Sequence, residues 1–261
     1  MDAQGRLRLA DAMPETPVTA PPIGFLREGR AKAWIVGPVE SFLGAVVQSD
    51  PVPEEPLGYG TDAEALFAII ERVQGWTRVE VEGAVAGPLG KLIEDRMGLR
   101  TRLEDAIYYQ LLQPVKVVRH EAVRVLTPAD EALVDQAARD EFWSNGFAPV
   151  FDAVPGKVGV DAGAVVDGRV VSFVFGWEVT ARYAELNSCT LKAYRRRGFA
   201  AAAGSIAAGH LQDRGFIPTR NTEAGNPAAM RVAEKLGFVE VLPRRCYVVT
   251  ERFQSPAIGG R

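Results

Sequence analysis

The sequence predicts an α/β (α+β) protein: a mixed, mostly antiparallel sheet flanked by helices, with a smaller N-terminal α/β domain. Three observations predict it. From about residue 118 the elements read strand, helix, three strands, helix, strand, helix, strands, which is not the order of a doubly wound parallel sheet. Asp167-Gly168 stands between two β-branched runs as a two-residue hairpin turn, so its flanking strands are antiparallel neighbours. Over residues 31–117 a shorter set of helix and strand patterns repeats the mixture on a smaller scale.

Composition bounds the rest. The 261 residues are 47% hydrophobic and 24% charged, with a net charge of −3, so core material is ample. An acidic balance argues against nucleic-acid binding by overall electrostatics. Two cysteines, Cys189 and Cys246, are too few for a disulfide scaffold, and only His120 and His210 could join them in a metal site. No metal is expected. The N-terminus has no apolar core of a signal peptide, and the longest apolar run, Phe199–Ala208, is too short to span a bilayer. The expected setting is cytoplasmic, with no membrane partner.

Residues 1–30 are rich in proline, alanine and charge and read as a flexible N-terminal arm. Residues 31–117 read as a small α/β domain of unknown role. "KAWIVG" is a strand, and the proline-dense "SDPVPEEPLGYG" a loop. Thr61 and Glu64 form a capping box before the apolar face Leu66, Phe67, Ile69, Ile70 and Val73. "WTRVEVEG" alternates as a strand, "GPLGKLIEDRMG" reads as a helix and "EDAIYYQLL" as a strand.

Residues 118–261 form the second domain. "AVRVL" is a strand. Thr127 caps a helix with Pro128 in its first turn and an apolar side of Leu133, Val134, Ala137 and Phe142. The Asp167-Gly168 hairpin follows, then the strand "RYAELNSCTL". A helix runs from about Phe199 to Arg214 and stops at Gly215. Asn226 and Pro227 open the last helix, Gly237 ends it, and "FVEVL" and "CYVVTERF" read as two closing strands.

The stretch that carries chemistry is Arg195-Arg196-Arg197-Gly198-Phe199-Ala200, between a strand and a helix. First-turn amides have no partner within a helix and carry partial positive charge. Gly198 and Ala200 leave them open, so an anion such as pyrophosphate can approach the backbone while the arginines add charge at the rim. Neither a G-x-G-x-x-G fingerprint nor a complete P-loop is present. About 28 residues after Gly198 comes "NPAAMRVAEKLGFVEV", a helix whose Ala229, Val232, Ala233 and Leu236 share one face.

With these two halves in place, the chain resembles the GNAT superfamily of acyl-CoA N-acyltransferases: strand, R-x-x-G-x-G/A, helix, short strand, then N-x-x-A…K-L-G-F into a strand. The resemblance covers roughly residues 120–252. It is closest to a two-domain bacterial subgroup that includes antibiotic-modifying acetyltransferases. It implies a GNAT-type sheet and an acetyl-CoA cosubstrate. The backbone from Arg196 to Ala201 would hold the pyrophosphate, with Arg195, Gly198 and Phe199 in that turn. The pantetheine arm would pair along Ser188, Cys189, Thr190 and Leu191, and Asn226 would contact the cofactor.

The resemblance further implies transfer of an acetyl group to a primary amine of a small molecule in a ternary complex. The amine must lose a proton before it attacks. Glu185 is the candidate base, with Asn187 and Ser188 orienting water or the amine and Glu178 the second choice. An N–H near Thr190 would hold the oxyanion. Ala233 stands where many members carry a tyrosine that protonates the leaving thiolate. An alternative is therefore a non-catalytic acyl-CoA-binding or regulatory module. Cys189 reads as a core thiol rather than a nucleophile, and His210 as a helix-surface residue. The N-terminal domain could cover the acceptor cleft or pair two subunits as a homodimer.

Overall fold

The computed structural model describes residues 1–141 and 158–252, without the side chains of Val158, Val160, Asp161 and Glu178. Phe142, expected on a helix face, lies outside the described residues. The chain forms two compact units. Of the described residues, the first contains Met1–Tyr108, Asn221–Asn226 and 241–252; the second contains Tyr109–Arg220 and Pro227–Glu240. The sequence suggested a single change of domain near residue 117. Instead the chain returns to the first unit, because its C-terminal strand pairs there.

The first unit begins with two helices, α1 (Ala3–Ala12) and α2 (Ala20–Arg27). The expectation of a flexible arm over 1–30 is thus corrected. Asp2 caps α1 by accepting from the Gly5 N–H at 2.7 Å. Pro21 and Pro22 occupy the first turn of α2, where a missing N–H costs no helical bond. Leu9, Ile23 and Leu26 are fully buried, so these helices pay for their ordering by apolar burial.

Strands β1 (Ala31–Val36), β2 (Gly44–Ser49), β3 (Leu57–Tyr59), β4 (Arg78–Glu82) and β5 (Thr101–Gln110) follow, with α3 (Ala63–Ile70) and α4 (Gly83–Met97) between them. With β11 (Val239–Thr250) the order is β1-β2-β3-β4-β11-β5. β4 and β11 run antiparallel, with Cys246 opposite Val81, and β3 and β4 are parallel. β3 lies inside the stretch read as loop, and β11 is one strand where two were expected. The cap of α3 is Asp62, one residue past the predicted Thr61: it accepts from the Ala65 N–H at 3.0 Å. Glu64 pairs with Arg96 instead. α3 and α4 bury Leu66, Ile70, Leu89 and Ile93 against Val79, Val81 and Val248.

In the second unit the strands are β6 (Val123–Val125), β7 (Val158–Val166), β8 (Arg169–Glu178), β9 (Tyr183–Thr190) and β10 (Ile217–Glu223), the last reaching into the first unit at Asn221. The order is β10-β9-β8-β7-β6. β6, β7, β8 and β9 pair antiparallel, and β9 with β10 parallel. The hairpin turn is as predicted: Asp167 (φ 50°) and Gly168 (φ 75°) both adopt the left-handed region that such turns demand. Among the described residues the unit also has helices α5 (Glu131–Glu141), α6 (Phe199–Asp213) and α7 (Pro227–Leu236). α5 buries Val134, Ala137 and Ala138 against Phe173 and Phe175 of β8 and Cys189 of β9. Leu133, expected on that face, is exposed.

The turn before α5 is held by charge. Asp130 accepts from the Thr127 N–H at 2.9 Å and pairs with Arg124 at 2.6 Å. The Arg124 guanidinium, with the Thr127 N–H, holds its carboxyl well below the usual carboxylate range. A depressed folded value means stability that is present above the unfolded value, about 3.9, and is lost as pH falls below it. Asp130→Ala is expected to cost about 1–2 kcal/mol at neutral pH. In urea melts the gap between parent and variant should narrow below about pH 4. A gap independent of pH would contradict this account of the turn.

Candidate functional site

The site is built where β9 leaves its neighbour. β9 and β10 are in register only over Tyr183–Ile217, Ala184–Pro218 and Glu185–Thr219. Beyond Glu185, β9 continues for five residues with β8 on one edge only. The Leu191 N–H donates to the Val171 carbonyl of β8, and the Arg182 carbonyl accepts from the Ile217 N–H of β10. By the alternation of a strand, the N–H and C=O groups of Leu186, Ser188 and Thr190 therefore face the open edge. The Arg195 Nε donates to the Thr190 carbonyl at 3.1 Å, tying the following turn to the end of that edge.

That turn has an unusual backbone. Arg196 (φ 64°) and Gly198 (φ 87°) are both left-handed. Gly198 is the N-cap of α6 and has no side chain to satisfy the first-turn amides. The first helical bond runs from the Ala202 N–H to the Gly198 carbonyl at 3.0 Å. The N–H groups of Phe199, Ala200 and Ala201 precede it, in the positions a helix leaves unpaired. Left-handed residues in such a turn gather successive N–H groups into a concavity that suits an anion. Arg196, Arg197 and Gly198 are exposed there. Arg197 stacks over the Tyr194 ring at 5.0 Å.

α6 is held in place by small residues and by a peptide segment. Ala201, Ala202, Ala203, Ala207 and Ala208 are buried, which lets the helix lie close to the sheet. A Cβ on Gly204 would stand 2.9 Å from Leu236 of α7. The extended segment after β5 runs along α6. Ser205 Oγ accepts from the Val118 N–H at 3.2 Å and donates to its carbonyl at 3.0 Å. Gln212 accepts from the Val115 N–H at 3.0 Å and donates to the Gln113 carbonyl at 2.8 Å. A cavity of about 520 Å³ lies along this seam, with His120, Ser205 and His210 among its lining.

The segment also delivers His120 to the turn, which distance in sequence had concealed. Its ring packs edge-on against Phe199 with centroids 4.6 Å apart. Its Nδ1 accepts from the Ala122 N–H at 3.1 Å.

The predicted residues fall into three groups. Arg195 to Ala201 are brought together in the turn and first helical residues. Phe199 is buried, so what it presents is its N–H. Cys189, Thr190 and Leu191 end β9 and lead into the turn. The Cys189 side chain lies in the core, where burial pushes its thiol up to about 12 and makes it no nucleophile near neutral pH. Thr190 Oγ1 shares a hydrogen bond with Ser172 Oγ at 2.8 Å. Glu185 and Asn187 share one face, opposite Trp177 and Phe175, with the Asn187 amide 3.5 Å from the carboxylate. Glu185 is buried, 7% exposed. Ser188 lies on the other face, because a strand alternates. Asn226 belongs to the first unit, half-buried, its N–H donating to Glu223 at 2.9 Å. Glu178 ends β8, and its side chain is outside the description.

Sequence reasoning passed over Arg220. It was read within a short segment, "FIPTRN", yet its side chain is buried, 7% exposed. The one available signal was a charged residue in mid-strand among apolar and hydroxyl neighbours. Among the described residues no group of three or more His, Cys, Asp or Glu is placed to hold a metal. No helix described is long and apolar enough to cross a membrane.

Comparison with known proteins agrees with this architecture. No curated protein matches the chain. A GCN5-related N-acetyltransferase-like protein from Streptococcus suis is 18% identical, with a TM-score of 0.58, over 93% of this chain and 96% of that one. A GCN5-related N-acetyltransferase from Kribbella flavida is 15% identical, with a TM-score of 0.62, over 90% of this chain and 94% of that one. A tandem GNAT protein from the clavulanic acid biosynthesis pathway is 14% identical, with a TM-score of 0.55, over 95% of this chain and 93% of that one. At these identities the structures show the shared fold. The family model for GNAT acetyltransferases matches residues 90–247, more than half of the chain. The chain belongs to the GNAT acetyltransferase family.

Proposed function

We propose that the protein is an acetyl-CoA-dependent N-acetyltransferase that acetylates a primary amine of a small molecule by direct transfer in a ternary complex. One observation carries this reading: the open edge of β9 beyond Glu185 runs straight into the left-handed turn and the first amides of α6. A pantetheine arm can pair with Leu186, Ser188 and Thr190 as an added strand does. Its pyrophosphate then reaches the N–H groups of Arg196 to Ala201, with Arg195 and Arg197 supplying charge. The proposed site of action is the cytoplasm.

The chemistry needs a proton acceptor and a hydrogen-bond donor. The amine nitrogen attacks the thioester carbon after losing its proton to Glu185, directly or through a water oriented by Asn187. Ser188, on the opposite face of β9, contributes its backbone. The oxyanion is met by an N–H of the open edge; since the arm runs from Thr190 back to Leu186, that N–H is the one of Leu186 rather than one near Thr190. The C–S bond then breaks, and its electron pair leaves on the CoA sulfur. Ala233 is fully buried and offers no acid for that step. This is the feature that favours the alternative, a binding module without turnover.

Turnover separates the two. With a panel of small primary amines, the parent should release CoA. Glu185→Gln should slow that release about 100-fold, the usual worth of a general base, with acetyl-CoA affinity retained. Acetyl-CoA binding with no amine acetylated would favour the binding module.

A further inference from the structure

Arg220 is the first residue of β10 after its last register pair with β9, Thr219–Glu185. It thus leaves the backbone where the two strands part. Its side chain is 7% exposed, and its Nε is sealed from water with no hydrogen-bond partner. Arg245, by contrast, is 4% exposed and spends its donors on Glu80 and on the Gly58 carbonyl. A buried guanidinium with an unspent donor is costly to keep, and that cost is recovered when an anion arrives.

Tyr109 and Glu185 are the groups whose charge acts on it. Burial pulls Arg220 down to about 10, and attraction to Tyr109 and Glu185 opposes this. It stays cationic at neutral pH. An arm that starts at the α6 turn and follows the open edge of β9 from Thr190 back to Leu186 ends at the closed end of this fork. Its terminal thioester therefore comes to rest beside Arg220.

We propose that Arg220 is a catalytic cation of the fork, stabilising the negative charge that acyl transfer creates on the thioester oxygen and then on the departing sulfur. This rests on the acetyl-CoA reading above. In the step itself the amine nitrogen bonds to the carbonyl carbon and the C=O π pair moves to oxygen. On collapse the C–S pair moves to sulfur and the second proton on nitrogen passes to water, Glu185 having taken the first before attack. Arg220 transfers no proton. Its charge meets an anion absent from the ground state, so its effect falls on turnover rather than on binding.

The test has two readouts. Bound CoA is titrated by the ultraviolet absorbance of its thiolate, and kcat is measured beside acetyl-CoA affinity. In the parent the thiol of bound CoA should titrate at least about one unit below the free value near 8.5. The neighbouring Glu185 carboxylate opposes that shift and so limits its size. Arg220→Met should return the thiol to its free value. It should also lower kcat about 100- to 1,000-fold, with acetyl-CoA affinity kept within about threefold. Arg220→Lys, which retains a cation, should recover part of both.

Arg220→Met also takes the cation away from the buried Glu185 and so should be less stable than the parent. Urea melts of the Met and Lys variants, with assays kept well below the transition, separate loss of fold from loss of chemistry. Bound CoA with an unshifted thiol would overturn this inference and leave the acetyl-CoA reading standing. So would a Met variant with unchanged kcat, or one whose affinity and kcat fall together. A parent that binds no CoA would overturn both.

Discussion

Glu80→Ala is expected to destabilise the first unit by about 3–5 kcal/mol, because it strands a buried cation. Glu80 is 1% exposed. It accepts from Arg245 Nε at 2.5 Å and from the Tyr108 hydroxyl at 2.9 and 3.0 Å. Arg245 also donates to the Gly58 carbonyl at 2.6 Å and lies over the Tyr59 ring at 4.5 Å. These contacts join β3, β4, β5 and β11. Burial by itself would lower Arg245, but attraction to Glu80 raises it above the ordinary arginine value. Burial likewise raises the Tyr108 hydroxyl, with the Glu80 charge adding to the effect, so the tyrosine remains a donor. Removing the carboxylate leaves Arg245 with two carbonyl bonds and no counter-charge. Pairing Glu80→Leu with Arg245→Met should restore most of the loss, since an apolar pair needs no compensation. Urea melts of the three variants check this. A loss below about 1 kcal/mol for Glu80→Ala would mean that water reaches the pair.

Gly198→Glu is expected to weaken acetyl-CoA binding at least 100-fold while the fold survives. The glycine has φ 87°, so any side chain there costs about 1–2 kcal/mol of backbone strain. Space does not forbid one: the nearest atom to an added Cβ is His120 Cδ2, at 4.0 Å. Gly198→Ala therefore isolates the strain and should keep binding within about tenfold. The glutamate adds a like charge at the mouth of the anion site, and its repulsion of the doubly charged pyrophosphate adds to the strain. A glutamate variant that binds as well as the alanine variant would remove the pyrophosphate from this turn.

How much of this was legible in the sequence depends on the range of the forces involved. The Asp167-Gly168 turn, the Pro128 helix entry and the helix start at Phe199 are local: a few residues determine each, and the structure has them as read. The Thr61 box missed by one residue because Asp62 is an equally good cap and the pattern leaves both available. Residues 1–30 misled because proline and charge suggest a solvated arm. Yet Pro21 and Pro22 sit where a helix tolerates them, and Leu9, Ile23 and Leu26 find a core that only the fold supplies. The return of β11 to the first unit, β3 within a proline-rich stretch, and the burial of Glu80 and Arg245 all follow from strand pairing across long stretches of chain. No local pattern encodes such pairing.

The site divides in the same way. The turn from Arg195 into the helix at Phe199 was readable because a strand-glycine-helix junction is a local pattern. The parting of β9 from β10 after Glu185 was not, because pairing depends on which strands meet. Nor was the placement of His120 beside Phe199, or of Arg220 at the fork.

The central claim is that the turn at Arg196 to Ala201 holds the pyrophosphate of acetyl-CoA. Titration of acetyl-CoA into the full-length protein by calorimetry, beside Gly198→Ala and Gly198→Glu, tests it most directly. The account predicts saturable binding in the parent, a modest loss in the alanine variant and loss of binding in a folded glutamate variant. Absence of binding to the folded parent would contradict it.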